Sequence, residues 1–481
     1  MSDPTVRQVL WAVGGAGTAA LVVSGALIDP LVPVAAVGGL VVLSIAAFQP
    51  KVFALIAVIA IIVSTPLQST LGTVGSYADE LVVVIALASF ATRRFLTDRR
   101  LVLLPGSAWF AAFIAVGLVS SVALRVPIGN TVEALFLITK GLLFALALAQ
   151  LRWTVADIAR MVRAGIVVIV VIGVIGTINF AVPIPWSYLV ADRPPLNYVA
   201  GLPSLSGPFQ HPAAFGRLCA VLAIAVVTYG LVVRRSVGNI VLIAVTAGLS
   251  VLSFQVKSLV GLLTTIGVIG LRFSRPIVLF MVLAFGPIVG ALVLPTVVEL
   301  IAGDVELYIL QDSARSTLTT GSIVVANQYF PLGAGFSRYG SYTAGQQYSP
   351  EYVALGFPNV YGLGPGDDGM FLNDTQWPAI IGESGWLGAA CFALGVVSMF
   401  IVLCRRISDT EASLERWVRV TGIGWLVLLL VESVAAPVFV SAPSYPFAFA
   451  AVGVVASLRD RSRFEPEPVR RGSPPLVSSP V

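Results

Sequence analysis

The stretch A-G-I-V-V-I-V-V-I-G-V-I-G-T-I-N-F-A, from Ala164 to Ala181, contains no ionisable side chain, and runs of this kind recur along most of the chain. A bilayer core is crossed by about 20 consecutive apolar residues in a helix. In hydrocarbon every backbone N–H and C=O must be paired internally, which leaves only helices or closed barrels as spanning structures. Unbroken apolar runs, rather than ten-residue alternation, select helices. Fourteen candidate spans follow: 9–28, 31–49, 52–66, 79–92, 102–124, 132–150, 164–185, 213–233, 238–254, 258–271, 276–301, 377–404, 417–437 and 441–457. The pair 238–254 and 258–271 reads as a tight hairpin or one re-entrant unit. Charged residues make up 11% of the 481 positions, against about 25% in soluble domains, which excludes an ordinary soluble protein. The expected fold is all-α: a polytopic transmembrane bundle of about 12–14 spans with one large extracytoplasmic loop domain between late spans. Its expected parts are a transmembrane bundle over 1–301, a loop or cap over 302–376, C-terminal transmembrane helices over 377–457 and a disordered cytoplasmic tail over 458–481.

Arginine and lysine set the expected orientation. With the first segment inside, most of the 29 cations fall on cytoplasmic segments, which places both termini in the cytoplasm. The net charge of +5 is then an orientation signal and not a footprint for nucleic acid. The first apolar run reads as an uncleaved helix rather than a secretory signal, because thirteen more spans follow. The three cysteines lie in apolar runs without disulfide or metal spacing. A single histidine, His211, excludes a histidine-based metal site.

Six cations oppose this bias and sit on the outer side or at outer helix ends: Arg125, Arg193, Arg217, Lys257, Arg315 and Arg338. Arginine forks suit phosphate oxygens, so a convergence of these groups would bind a phosphate-bearing ligand; scattered, they would be surface charge and headgroup contacts. Ionisable residues at membrane depth are functional candidates. Glu133 and Lys140 lie seven residues apart on one helix face, either as a structural pair or with Lys140 turned to a cavity that holds an anion. Glu432 stands alone in its span. Asp79 and Glu80 suit a helix N-terminus. Segment 302–376 is too long for a structureless loop, and its Gly- and Tyr-rich second part reads as a folded cap or lid. Asp367, Asp368 and Asp374 stand where it returns to the membrane, followed by Glu383 in the next span. The Asp-Asp-Gly run fits an aspartate metal site weakly and turn chemistry equally. Asp374 suits either a helix N-cap or a general base. Tyr348, Tyr352, Tyr361 and Trp377 suit sugar stacking, cap packing or an interfacial belt.

Three stretches carry a resemblance. S-G-P-F-Q-H-P-A-A-F-G at 206–216 opens a span. S-A-R-S-T-L-T-T-G-S-I-V-V-A-N-Q-Y-F-P-L-G-A-G-F at 313–336 carries an arginine, a helix and Pro-Leu-Gly-x-Gly. D-T-Q-W-P-A-I-I-G-E-S-G-W-L-G at 374–388 carries Glu-x-Gly-x-x-Gly. In this order, around one large loop, the chain resembles the O-antigen ligase and Wzy-type polysaccharide polymerase family over roughly residues 160–460. It departs from that pattern in Pro-Ala for Pro-Asn at 212–213, in Asp374 where ligases carry histidine, and in Lys257 where the family carries arginine; lysine is a point charge rather than a fork.

The resemblance implies a glycosyltransferase of the bacterial cytoplasmic membrane. Its donor would be a glycan on polyprenyl pyrophosphate, its acceptor a glycan or lipid hydroxyl, and its surroundings membrane lipid, with no cofactor and no metal. Asp374 would be the base and Arg315 catalytic, with Asp367 or Asp368 as substitutes for the base. Arg217, Lys257 and Arg315, then Arg193 and Arg338, would hold the pyrophosphate. His211, Glu383 and Lys140 would support them, Glu383 by orienting a cation. A transporter or flippase for an anionic lipid-linked saccharide fits the same cations and acids, and a non-catalytic membrane scaffold is the third reading.

Overall fold

The computed structural model describes residues 31–71, 75, 77–199, 201–272, 314–366, 371–408 and 410–464. The expected spans 9–28 and 276–301, both Asp367 and Asp368, and the tail beyond 464 lie outside these residues.

The chain is an all-helical bundle. In order come α1 (Leu31–Phe48), α2 (Pro50–Leu71), α3 (Ala78–Asp98), α4 (Ser107–Ala123), α5 (Ile128–Ala149), α6 (Val155–Ala181) and α7 (Pro183–Ala191). A two-stranded antiparallel hairpin, β1 (Tyr198–Val199) and β2 (Leu202–Pro203), pairs Tyr198 with Pro203. There follow α8 (Pro212–Val232), α9 (Val237–Leu252), α10 (Val256–Arg272), α11 (Ala314–Gln328), the short α12 (Tyr342–Gln347) and α13 (Pro350–Ala354), then α14 (Trp377–Cys404), α15 (Ser413–Glu432) and α16 (Tyr445–Phe464). Among the described residues five helices are long and apolar enough to cross a membrane: α2, α5, α6, α8 and α14. The apolar helices α4, α9 and α10 are shorter. Such a set fits a multi-pass membrane protein.

Twelve of the fourteen expected spans coincide with described helices, and the ends differ for local reasons. Helix α6 starts at Val155, not 164, because Thr154 and Asp157 form a capping box ahead of the apolar run. Helix α15 stops at Glu432 and α16 starts at Tyr445, since residues 433–444 turn through Pro437 and Pro443. Helix α16 then continues to Phe464, so residues 458–464 belong to the bundle and not to a tail. The pair α9 and α10 is not a hairpin: α9 packs on α8 and α10 on α15.

Small residues bring the helices together. A Cβ on Gly453 of α16 would meet the Ala145 carbonyl oxygen of α5 at 2.2 Å, and one on Gly395 of α14 would meet the Phe110 ring of α4 at 2.6 Å. Such sites let helices pack where lipid removes the usual hydrophobic drive. Charges gather in two regions. One holds a web of ion pairs between helix ends: Arg94 with Asp460 at 2.5 Å, Arg152 with Asp98 at 2.6 Å, Lys51 with Asp157 at 2.5 Å and Arg419 with Glu411 at 2.8 Å. The other is the candidate site.

Residues 314–366 and 371–376 pack round a small apolar core of their own, in which the Tyr352 and Phe357 rings stack at 5.4 Å with Tyr339 beside them. Tyr352 is therefore core, and the Tyr348 hydroxyl donates to the Leu363 carbonyl; neither offers a free ring. The segment is fastened to α14 by backbone. Ala334 and Gly335 donate N–H groups to the Gly382 and Glu383 carbonyls, both at 2.9 Å. Helix α14 opens there because Gly385 leaves the helical region (φ 62°, ψ −171°). Gly333 sits so close that a Cβ on it would lie 2.2 Å from the Gly385 nitrogen. Gly333→Ala is expected to lower the thermal stability of the solubilised protein more than Gly356→Ala. The latter meets open space and adds only left-handed strain of about 1–2 kcal/mol; equal losses would show that the seam is loose.

Candidate functional site

Residues 206–216 build the start of α8. The Asn179 side chain of α6 accepts the Ser206 and Gly207 N–H groups, each at 3.0 Å, and the Trp186 indole donates to the Gly207 carbonyl at 2.7 Å. Gly207 has φ +54°, a left-handed position that favours glycine. His211 then caps the helix: its Nδ1 accepts the Ala213 N–H at 3.1 Å, and Pro212 occupies the first turn. The next turn presents Arg217, 5% exposed, whose Nε lies 2.5 Å from Glu432 Oε2 at the end of α15. Glu432 is fully buried, and its Oε1 finds no partner among the described residues. Glu432 is thus not alone in its span. Its counter-ion comes from a helix 215 positions away in sequence.

Lys257, in the first turn of α10, donates to the Ala435 carbonyl at 3.1 Å, three residues beyond Glu432. Arg315, in the first turn of α11, gives both Nε (2.6 Å) and Nη2 to Oδ2 of Asp374. Asp374 does not cap α14. The N-cap of that helix is Gln376, without a side-chain cap bond, and the carboxylate is instead engaged by the guanidinium. These groups lie close enough to act on one another. Lys257 feels the charges of Arg217, Asp374, Arg315 and Glu432, and His211 those of Lys257, Arg193, Asp374 and Arg217. Arg193 is anchored on the Gln210 carbonyl at 3.0 Å. The structure therefore brings together Arg193, His211, Arg217, Lys257 and Arg315 with Asp374 and Glu432. Four cations face two carboxylates there. Burial, then the positive charges of Lys257 and Arg193, push the His211 imidazole down to about 4 against a partial pull from Asp374, so it is neutral at ordinary pH.

Three sequence-derived candidates stand elsewhere. Arg338 pairs with Glu351 at 2.5 Å inside the 314–376 segment. Glu383, 1% exposed, orients no cation: its Oε1 accepts the Ser341 hydroxyl at 2.5 Å and the Arg338 N–H at 3.1 Å, holding the turn through which the segment meets α14. Lys140 does not pair with Glu133. The packing of α3 on α5 sets its ammonium 2.8 Å from Asp79 and 3.7 Å from Glu80, over the Tyr445 ring at 5.0 Å. Asp79 is a buried ion-pair partner, beyond its place in a first helical turn. The cavity on which Lys140 opens has a volume of about 620 Å³. It is bordered by Asp79, Glu80, Glu133 and Glu383, so carboxyl groups outnumber the one ammonium in its wall. Sequence reasoning offered Lys140 a cavity but missed its acidic lining and the partners of Arg217 and Lys140. The available signal was the rule that a charge at membrane depth has an opposite charge beside it.

No protein-family model matches the chain, and no curated protein matches it. Clustered cations, one of them buried and two half-buried, stabilise phosphate-type negative charge, and a nearby carboxylate can accept a proton.

Two outcomes follow. Glu432→Leu strands the buried Arg217 charge and is expected to cost roughly 3–5 kcal/mol, while Arg217→Met combined with Glu432→Leu recovers most of it; thermal unfolding of the three proteins in one detergent checks this. The His211 pKa is lowered on folding, so the unfolded chain binds the proton more readily. Its contribution is intact above the ordinary histidine value and is lost as pH falls from there through about 4. His211→Asn, a cap that does not titrate, is expected to flatten the stability profile across that window.

Proposed function

We propose that the chain is a membrane glycosyltransferase of the O-antigen ligase and polysaccharide polymerase type. It would move a glycan from a polyprenyl-pyrophosphate donor to an acceptor hydroxyl at the outer face of the bacterial cytoplasmic membrane, with both termini in the cytoplasm. The observation that carries this reading is that Arg217, Lys257 and Arg315 lie within electrostatic reach of one another, with Arg315 bound to Asp374 of the late loop and Arg193 acting on the neighbouring His211. These cations come from four separate parts of the chain and were singled out because each opposes the orientation bias. Lys51, Arg94, Arg152 and Arg419, all on expected cytoplasmic segments, meet instead in the ion-pair web at other helix ends, in keeping with that orientation.

In this reading the acceptor oxygen attacks the anomeric carbon as the bond from that carbon to the pyrophosphate oxygen breaks. The hydroxyl proton passes to Asp374, and the polyprenyl pyrophosphate leaves with its negative charge against Arg217, Lys257 and Arg315. Arg315 has a double part. It holds Asp374, and an arriving phosphate oxygen competes for the same guanidinium and frees the carboxylate to act as base. His211, neutral, supplies shape and capping rather than charge.

Transfer from a polyprenyl-pyrophosphate oligosaccharide, followed with purified protein, tests the proposal. Lys257→Ala and Arg315→Ala are each expected to lower the rate about 10²–10³-fold, and Asp374→Asn about 10²–10⁴-fold, with unchanged folding and membrane insertion. In cells the lipid-linked intermediate would then collect on the outer leaflet. Its accumulation on the inner leaflet would mark a flippase instead, and unaltered glycan in all three variants would end the catalytic reading.

A further inference from the structure

The cavity that Lys140 opens on is unused by the charge chemistry above, and its wall has its own logic. Its volume, about 620 Å³, lies within the roughly 300–1,000 Å³ typical of small-molecule sites, but the wall is strongly polar. Hydroxyl and amide groups from Ser64, Gln68, Thr343, Asn373 and Gln376 border it. Two tyrosine rings at its edge stay open to solvent, Tyr77 at 64% and Tyr342 at 51% exposed. Thr375, also in the wall, is 3% exposed and its hydroxyl has no hydrogen-bond partner among the described residues, an arrangement that usually marks a missing one. Mixed donors and acceptors with flanking aromatic faces suit a ring that carries hydroxyls on its edge and C–H groups on its face.

The position links this cavity to the cation cluster. Asn373, Thr375 and Gln376 border the cavity, while Asp374 between them holds Arg315. One turn of chain therefore serves both places. The charge of the wall decides what enters. Asp79 and Lys140 neutralise each other at 2.8 Å, and Glu383 is committed to Ser341 and backbone N–H groups. Glu80 and the exposed Glu133 remain, two carboxylates that repel an acidic ligand and attract an amine.

We infer that this cavity receives the acceptor saccharide, and that it selects a neutral or amine-bearing sugar over one carrying carboxylates or other negative charge. The inference rests on the glycosyl-transfer reading for the word acceptor; the saccharide specificity stands by itself. The test is equilibrium binding of three tetrasaccharides to the full-length protein in nanodiscs at low salt: a glucosamine tetramer, an N-acetylglucosamine tetramer and a galacturonate tetramer. The glucosamine tetramer is expected to bind at least about tenfold more tightly than the galacturonate tetramer, with the N-acetylated tetramer between them. Glu80→Gln with Glu133→Gln is expected to bring the three affinities together without abolishing binding, and Thr375→Val to weaken all three. Galacturonate binding as tight as glucosamine, or no binding of any tetramer, overturns the inference. Arg315→Ala separates the two ideas. If it retains tetrasaccharide binding and also retains full transfer, the catalytic reading fails while the saccharide site stands.

Discussion

A buried guanidinium facing a buried carboxylate, Arg217 against Glu432, is the contact on which this end of the bundle is organised. Both groups sit in interiors where an isolated charge is untenable, so α8 and the end of α15 are required to meet at one height. That requirement fixes where α15 stops. The chain leaving it supplies the Ala435 carbonyl to Lys257 and the Ser433 carbonyl to the Gln376 N–H, which in turn sets the loop carrying Asp374. Arg217 also reaches the Ser444 hydroxyl at 3.4 Å, just ahead of α16. One ion pair thereby positions parts of four helices and the returning loop.

Two regions of opposite character adjoin the same turn, Asn373–Gln376. On one side are cations from α8, α10 and α11, and on the other a cavity with an excess of carboxylates. The sharp change of sign over so few residues is maintained by short local pairs, Arg315 with Asp374 and Lys140 with Asp79. Each pair removes the charge that would otherwise leak its field into the neighbouring region. Two of the buried polar atoms without a partner among the described residues, Glu432 Oε1 and the Thr375 hydroxyl, lie near this border.

Much of this was legible in the amino-acid sequence, and the rest was hidden for identifiable reasons. Apolar runs revealed the helices because the bilayer tolerates no other way to pair the backbone. Helix ends were less readable: the Thr154 cap and the Pro437 turn lie where hydropathy is blind to hydrogen bonding. Arg193, Arg217, Lys257 and Arg315 were readable as a set because cations on that side run against the usual distribution. Their partners were not. Whether Lys140 takes Glu133, seven residues away, or Asp79, on another helix, depends on which helices pack, and spacing within one element carries no such information. Glu383 was visible as an intramembrane acid, yet its service to backbone N–H groups at Arg338 and Tyr339 depends on a loop folding back over it.

The seam between Gly333 and Gly385 has a mechanical corollary. The two strands of chain touch backbone to backbone, and the Ser120 hydroxyl of α4 donates to the Gly333 carbonyl beside them, so the loop, α14 and α4 are joined at one point. The break in helical geometry at Gly385 is what lets the two backbones come so close. Residues Trp377–Ser384 are gripped from both sides, by the loop through the Gly382 and Glu383 carbonyls and by the bundle through the Trp377 indole on the Ser433 hydroxyl at 2.9 Å, so the turn clamps the cap onto the membrane helices.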